Sequence, residues 1–239
     1  MAGSIYVALS GMRTRMAQLD RVASDIANEG TAGYKGERAG SQAVDRPSFG
    51  SFLNAAVDNV SGAPSVDFRA GVTLPTGRDL DVAVDGKGFF VVQTPTGPRY
   101  TRNGSFTRSS DGTLVTADNM PVLGQNGPIK VSGGTVTVQQ DGTIIVDRVA
   151  AGKLQVVDFP DYAGLAREEA GRFRAPADAT PMPSTASVRG GALEQSNVSV
   201  SQRMASLIEV SRSFEALQRG ITLMSNDIDA RAISELGRR

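Results

Sequence analysis

The chain has no cysteine, no histidine and no tryptophan. Without a thiol or an imidazole there is no thiol nucleophile, no serine–histidine–acid triad, no zinc finger and no histidine acid–base chemistry. Nor can a disulfide report the compartment. A surplus of either charge is missing too: 25 basic residues meet 25 acidic ones. The chain as a whole therefore has no net field to attract nucleic acid or an acidic membrane. No apolar run reaches the roughly 18 residues that a bilayer span requires. The opening MAGSIYVALSGMRTRMAQLD lacks a basic stretch followed by an apolar block, so no cleaved secretory signal is expected. With 239 residues, one or two domains with a real core can form.

Glycine and proline are scarce at both ends and dense between them. All 11 prolines lie from Pro47 to Pro183, and of 27 glycines only Gly3, Gly11, Gly30, Gly220 and Gly237 lie in the first 30 or last 48 residues. Both residues disfavour helix interiors, which predicts helix, punctuated middle, helix. At the N-terminus, Ile5, Leu9, Met12, Met16, Leu19, Ala23 and Ile26 recur at alternating intervals of four and three, a heptad seam. Gly30 and Gly33 supply its stop. At the C-terminus, Leu207, Val210, Phe214, Leu217, Ile221, Met224 and Ile228 repeat the pattern. Asn197 or Ser199 can cap that helix, Ser199 with Gln202 fitting a capping box. Glu215 with Arg219 and Asp227 with Arg231 are spaced as i, i+4 ion pairs. The seams are narrow and sit outside the middle segment, so further apolar contact is expected from neighbouring copies, with the ends folding as the subunit assembles.

The middle reads as antiparallel β. Leu80, Val82 and Val84 alternate with Asp79, Asp81 and Ala83, and the run Phe89-Phe90-Val91-Val92 follows. Further strands are predicted at residues 99–101, 105–108, 114–116, 129–131, 136–139, 143–146 and 154–157. Between them fall Asp85-Gly86, Asn103-Gly104, Asp111-Gly112, Asn126-Gly127, Gly133-Gly134 and Asp141-Gly142, pairs that supply the positive φ of tight hairpins. Strands at this spacing predict a sandwich or barrel-like domain. The fold class is thus α+β, with terminal helices pairing as a coiled coil around a central antiparallel domain. The expected divisions are 1–35 helix and joint, 36–78 extended connector, 79–170 β-domain, 171–191 return connector and 192–239 C-terminal helix.

No group of residues predicts catalysis. Asp79, Asp81 and Asp85 miss the spacing of a calcium loop, and strand-edge carboxylates facing water explain them better. Gly86-Lys87-Gly88 lacks the spacing of a phosphate loop. Glu168 and Glu169 are adjacent and would point apart on a helix. Arg99, Arg102 and Arg108 beside Tyr100 and Phe106 suggest aromatic–arginine packing, whereas a nucleic-acid platform needs a positive stripe that Asp111 and Asp118 interrupt. No cofactor or metal is expected. A carboxylate hydrolase using Asp79 and Asp81 stays a rival, as does a phage-tail-like coiled-coil protein.

Three separated motifs carry a family resemblance. The segment Ser24-Asp25-Ile26-Ala27-Asn28-Glu29-Gly30-Thr31-Ala32-Gly33-Tyr34-Lys35 resembles the joint after the first helix of bacterial flagellar rod and hook proteins. Residues 79–90 and Tyr100-Thr101-Arg102-Asn103-Gly104-Ser105-Phe106 resemble their β-domain. Leu193-Glu194-Gln195-Ser196-Asn197-Val198, with Ser213-Phe214-Glu215, resembles their C-terminal segment. Residues 5–12 and 230–233 look most like the proximal-rod type, the distal-rod type being the rival. Asp25 stands where the family usually has asparagine. The resemblance implies an axial building block of the basal body, exported by the flagellar type III apparatus without a cleaved signal and placed in the periplasmic rod. Its partners would be copies of itself and other axial proteins, with no nucleic acid and no transmembrane segment. The seam residues Ile5, Leu9, Met12, Met16, Leu19, Ile26, Leu207, Val210, Phe214, Leu217, Ile221, Met224 and Ile228 would form the assembly interface. Asn28, Gly30, Gly33, Tyr34 and Lys35 would form the joint.

Overall fold

The computed structural model describes the backbone of residues 2–40 and 62–236, and the side chains of 11–38 and 65–222. The described chain is α+β: helix α1 (Ala2–Ala27), a largely antiparallel β region, and helix α2 (Val200–Leu236). It divides into two units, one from residues 1–27, 37–65 and 199–239, the other from 28–36 and 66–198.

In the helical unit α1 and α2 lie side by side. Val22 and Val210 are buried. Beside them Asp25 is 2% exposed and pairs with Arg203 at 2.9 Å. Asp25 also accepts the Glu37 N–H, while Arg203 reaches the Glu37 carbonyl at 2.5 Å. A buried carboxylate needs such partners to offset its lost hydration. Helix α2 starts at Val200, which puts Ser199 at the N-cap position. Asn197, the other predicted cap, serves elsewhere, as described below.

The β unit is organised by one strand. Phe89–Thr94 lies within a six-stranded antiparallel sheet, in the spatial order Ala166–Glu168, Arg172–Arg174, Gly97–Thr101, Phe89–Thr94, Val156–Asp158, Met182–Pro183. Successive side chains of a strand point to opposite faces. Phe90 and Val92 accordingly enter a core with Val82, Phe106, Leu114, Val122, Ile144 and Leu154. Phe89 and Val91 enter a second core with Tyr100, Val157, Phe159 and Phe173. The run Phe-Phe-Val-Val is continuous because both of its faces are buried. Edge-on ring contacts join Phe90 to Phe106 at 5.2 Å and Phe89 to Phe68 at 5.7 Å.

Differences from the expected strands have local causes. Val149–Lys153 pairs with Thr143–Val146 through a two-residue turn at Asp147-Arg148. Both turn residues have positive φ (48° and 72°) without a glycine to signal it. Ile129 and Val131 are core side chains joined to their neighbours by single backbone bonds and form no strand. Residues 171–191 contribute strands Arg172–Arg174, Met182–Pro183 and Ser187–Gly190, and 36–78 contribute Glu37–Gly40, Gly62–Val66 and Thr73–Pro75.

The two Asp-Gly-Thr turns share one chemistry. Asp111 accepts the Thr113 N–H and hydroxyl at 3.1 and 2.9 Å, and Asp141 accepts those of Thr143 at 3.0 and 2.8 Å. These bonds hold the Asp111 carboxyl below its ordinary value and, with Lys153 adding to them, bring Asp141 from 3.8 to about 2. A carboxyl depressed by folding contributes stability that is complete above its unfolded value and lost as pH falls through its folded one. The urea midpoint of the protein should therefore drop between pH 3.8 and about 2. Asp111→Asn combined with Asp141→Asn should flatten that part of the titration, and an unchanged slope would deny the turns this role.

Candidate functional site

The joint of the β unit is held by charges that are almost wholly out of water. Lys35 is 1% exposed, Glu194 2% and Arg102 4%. Glu194 Oε1 accepts from Lys35 Nζ at 2.5 Å and from the Gly71 N–H at 2.9 Å, and Oε2 from Arg102 Nη1 at 3.3 Å. Lys35 also donates to the Arg69 carbonyl at 2.8 Å. Arg102 donates to the carbonyls of Gly86 (2.7 Å) and Val84 (3.3 Å), and its guanidinium lies 5.4 Å from the Phe89 ring centre. Two cations thus share one anion, and backbone carbonyls supply the remaining negative potential. Burial pushes the Lys35 ammonium below its usual value, and Glu194 counters that push through its charge and its hydrogen bond.

Backbone and amide bonds lace the same segments together. Asn197 accepts the Gly36 N–H at 2.8 Å and donates to the carbonyls of Asp67 (2.7 Å) and Arg69 (3.1 Å). Gly33 N–H donates to the Glu194 carbonyl at 2.7 Å, and Asp67 N–H to that of Gly36 at 2.8 Å. Ala192–Glu194 pairs with Thr73–Pro75. Arg167 covers the buried Tyr34 at 4.6 Å from its ring centre, donates to its hydroxyl at 2.7 Å, and reaches the Lys35 carbonyl. Gly33 has φ +67°, and a Cβ there would lie 2.3 Å from the Arg102 carbonyl carbon. Only glycine satisfies both the conformation and the space.

Of the expected joint residues, Gly33, Tyr34 and Lys35 meet in this clamp. Asn28 accepts the Thr31 hydroxyl at 3.2 Å in the turn before it. At Gly30 a Cβ would meet nothing within 4 Å. The expected seam is placed unevenly among the described side chains. Val210 is buried; Met12, Leu19, Ile26, Leu207, Phe214, Leu217 and Ile221 are half-buried; Met16 is 59% exposed and Ala23 exposed. Val22 and Asp25, outside that seam, are buried on α1. Ile5, Leu9, Met224 and Ile228 fall outside the described side chains.

Asp79 and Asp85 face water, as expected for strand-edge carboxylates, whereas Asp81 is 1% exposed with Arg78 3.5 Å away. Among the described residues no group of three or more acidic side chains could hold a metal, and no helix is long and apolar enough to cross a membrane. Glu194 and Arg167 received no role from sequence spacing, Asn197 was expected as a helix cap and Arg102 in aromatic–arginine packing; Glu194, Arg102 and Asn197 lie inside the motifs that carried the family resemblance.

The clamp joins the segment after α1, a strand end and the segment before α2 through the charges of Lys35, Arg102 and Glu194. Residues 83–146 match the family described as the D1 domain of flagellar hook protein FlgE/F/G, and residues 189–234 the C-terminal part of flagellar basal body rod FlgEFG proteins. The chain is 34% identical to flagellar basal-body rod protein FlgF of Caulobacter vibrioides over all of this chain and 99% of that one. It is 32% identical to FlgF of Escherichia coli (95% of this chain, 96% of the relative) and 30% to FlgG of Bacillus subtilis (93% and 95%). The chain belongs to the flagellar basal-body rod protein family, and it is not an enzyme.

Removing the clamp's anion tests its weight. Glu194→Gln leaves two buried cations without a counter-charge and should cost about 3–5 kcal/mol. Asp85→Asn, which breaks an ion pair whose partners are each 60% exposed, should cost about 0–1 kcal/mol. Equal losses in urea unfolding would remove the clamp from its proposed weight.

Proposed function

We propose that this protein is a structural subunit of the flagellar basal-body rod, of the proximal type, which polymerises helically through its terminal helices into the shaft that carries torque from motor to hook. The observation that carries this reading is end-to-end similarity to basal-body rod proteins. The opening and closing segments, residues 5–12 and 230–233, favour the proximal over the distal type. Export by the flagellar type III apparatus and residence in the periplasmic part of the rod belong to the same reading.

The helices supply the physical support. Met16 on α1 and Met204 and Ile208 on α2 are 59%, 52% and 54% exposed, although each is a large apolar side chain on a helix. Further copies or other axial proteins covering these positions would gain about 1.5–3 kcal/mol per side chain fully buried. Heterologous contacts that do not close on themselves yield a helical array, and paired helices along its axis form a stiff coiled-coil layer. The joint from Asn28 to Lys35 follows α1 in the chain and is held within the β unit.

The test is genetic and structural together. A strain lacking the gene should make no flagella, and the intact gene should restore them. Leu217→Pro, which interrupts α2 at a cost of about 3 kcal/mol or more, should fail to restore swimming while the purified variant keeps the β-sheet signal of its circular dichroism. Swimming by that variant would overturn the role of α2. In limited proteolysis of the dilute monomer, cleavage should remove residues before about 35 and after about 195 and leave the β-domain intact. Resistance of both helices would overturn their completion by neighbouring copies.

A further inference from the structure

The chain has five junctions at which asparagine or aspartate precedes glycine: Asp85-Gly86, Asn103-Gly104, Asp111-Gly112, Asn126-Gly127 and Asp141-Gly142. At such a junction the unhindered glycine nitrogen can attack the preceding side-chain carbonyl carbon and close a five-membered imide. Exposure, side-chain tethering and backbone freedom decide where this happens.

Four junctions are guarded. Asp111 and Asp141 have both carboxylate oxygens tied to Thr113 and Thr143 and are held ionised, which makes them poor electrophiles. Asp85 pairs with Arg189 at 3.1 Å. The Asn103 side chain accepts the Ser105 N–H at 2.9 Å, and its own N–H is held by Thr101 at 3.0 Å. Gly104 is packed so closely that a Cβ would fall 1.7 Å from the Val82 carbonyl oxygen.

Asn126 has none of these restraints. It is exposed, and its side chain makes no hydrogen bond among the described residues. It sits in the two-residue loop between Leu123–Gly124 and Gly127–Pro128, strands of two residues each. Strands this short fray easily, which frees the Gly127 nitrogen.

We propose that Asn126-Gly127 is a site of spontaneous covalent modification, at which the side-chain amide is lost and aspartate or isoaspartate is left behind. The Gly127 nitrogen forms a bond to Asn126 Cγ while the Cγ–Nδ2 bond breaks. The proton from the Gly127 nitrogen leaves with the amide as ammonia. Water then opens either C–N bond of the imide. Both products place a carboxylate on a neutral hairpin tip, and isoaspartate also adds a methylene to the backbone of the loop, which disrupts the Gly124–Gly127 pairing.

Incubation of the full chain in mildly alkaline buffer, native and in urea, followed by peptide mapping and enzymatic methylation of isoaspartate, tests this. In the native chain Asn126 should convert at least about tenfold faster than Asn103, and in urea the two rates should converge, since folding protects only the second. Asn126→Gln should abolish the early acidic species without changing the far-ultraviolet circular dichroism. Equal native rates at the two asparagines would overturn the assignment. So would an Asn126 that converts in urea and not in the native chain, or acidic species that accumulate undiminished in the Asn126→Gln variant.

Discussion

Glu194 is a buried anion that two buried cations need. Lys35 and Arg102 lie 159 and 92 residues away in sequence and meet its two carboxylate oxygens separately. Neither cation could stay in the interior alone, because an unpaired buried charge costs several kcal/mol. The joint after α1, a β-strand end and the segment before α2 are therefore held by one group. The Gly71 N–H and the Arg69, Gly86 and Val84 carbonyls extend the network, so its contacts lie inside a single chain.

The clamp continues into the core. Arg102 follows strand Gly97–Thr101 and lies over the Phe89 ring, and Phe89 packs against Phe68, Tyr162 and Phe173. Phe68 stands between Asp67 and Arg69, whose carbonyls Asn197 holds. Aromatic packing and polar lacing therefore fix the same short segment from two sides. Because interiors are close-packed and tolerate little displacement, a shift at residues 67–71 would be felt by both. The two-sided strand Phe89–Thr94 transmits that order to the first core through Phe90 and Val92.

Much of this was legible in the residues. The sparing of glycine and proline at the ends marked both helices, and the Phe-Phe-Val-Val run marked the strand buried on both faces. Asp-Gly pairs marked the Asp111 and Asp141 turns. The Asp147-Arg148 turn escaped because its positive φ values are borne by residues without a glycine signature. On α1 the heptad seam runs through Met16 and Ala23, while within the chain Val22 and Asp25, outside it, are buried. Period-counting treats aspartate as polar and outward, whereas Arg203 across the helix pair and the Glu37 N–H make its burial tolerable. The clamp escaped for a related reason. Spacing along the chain reports periodic burial, while a lysine, an arginine and a glutamate far apart in sequence acquire meaning only when the fold joins them.

The two units satisfy their side chains by different means, and this bears on how free energy is used in association. Ligand or partner binding stabilises only what the partner touches in the bound state. A clamp already closed within one chain takes nothing from contacts with neighbours. Large apolar side chains left exposed on α1 and α2 gain from every neighbour that covers them. In the proposed rod subunit, association free energy is thus concentrated on the helices, and the joint can keep one geometry whether or not the subunit is assembled. A joint held by apolar contact alone would lack that independence, since non-directional burial accepts several registers, whereas three charges and the Asn197 amide favour the one in which Glu194 meets both cations and Asn197 its backbone partners.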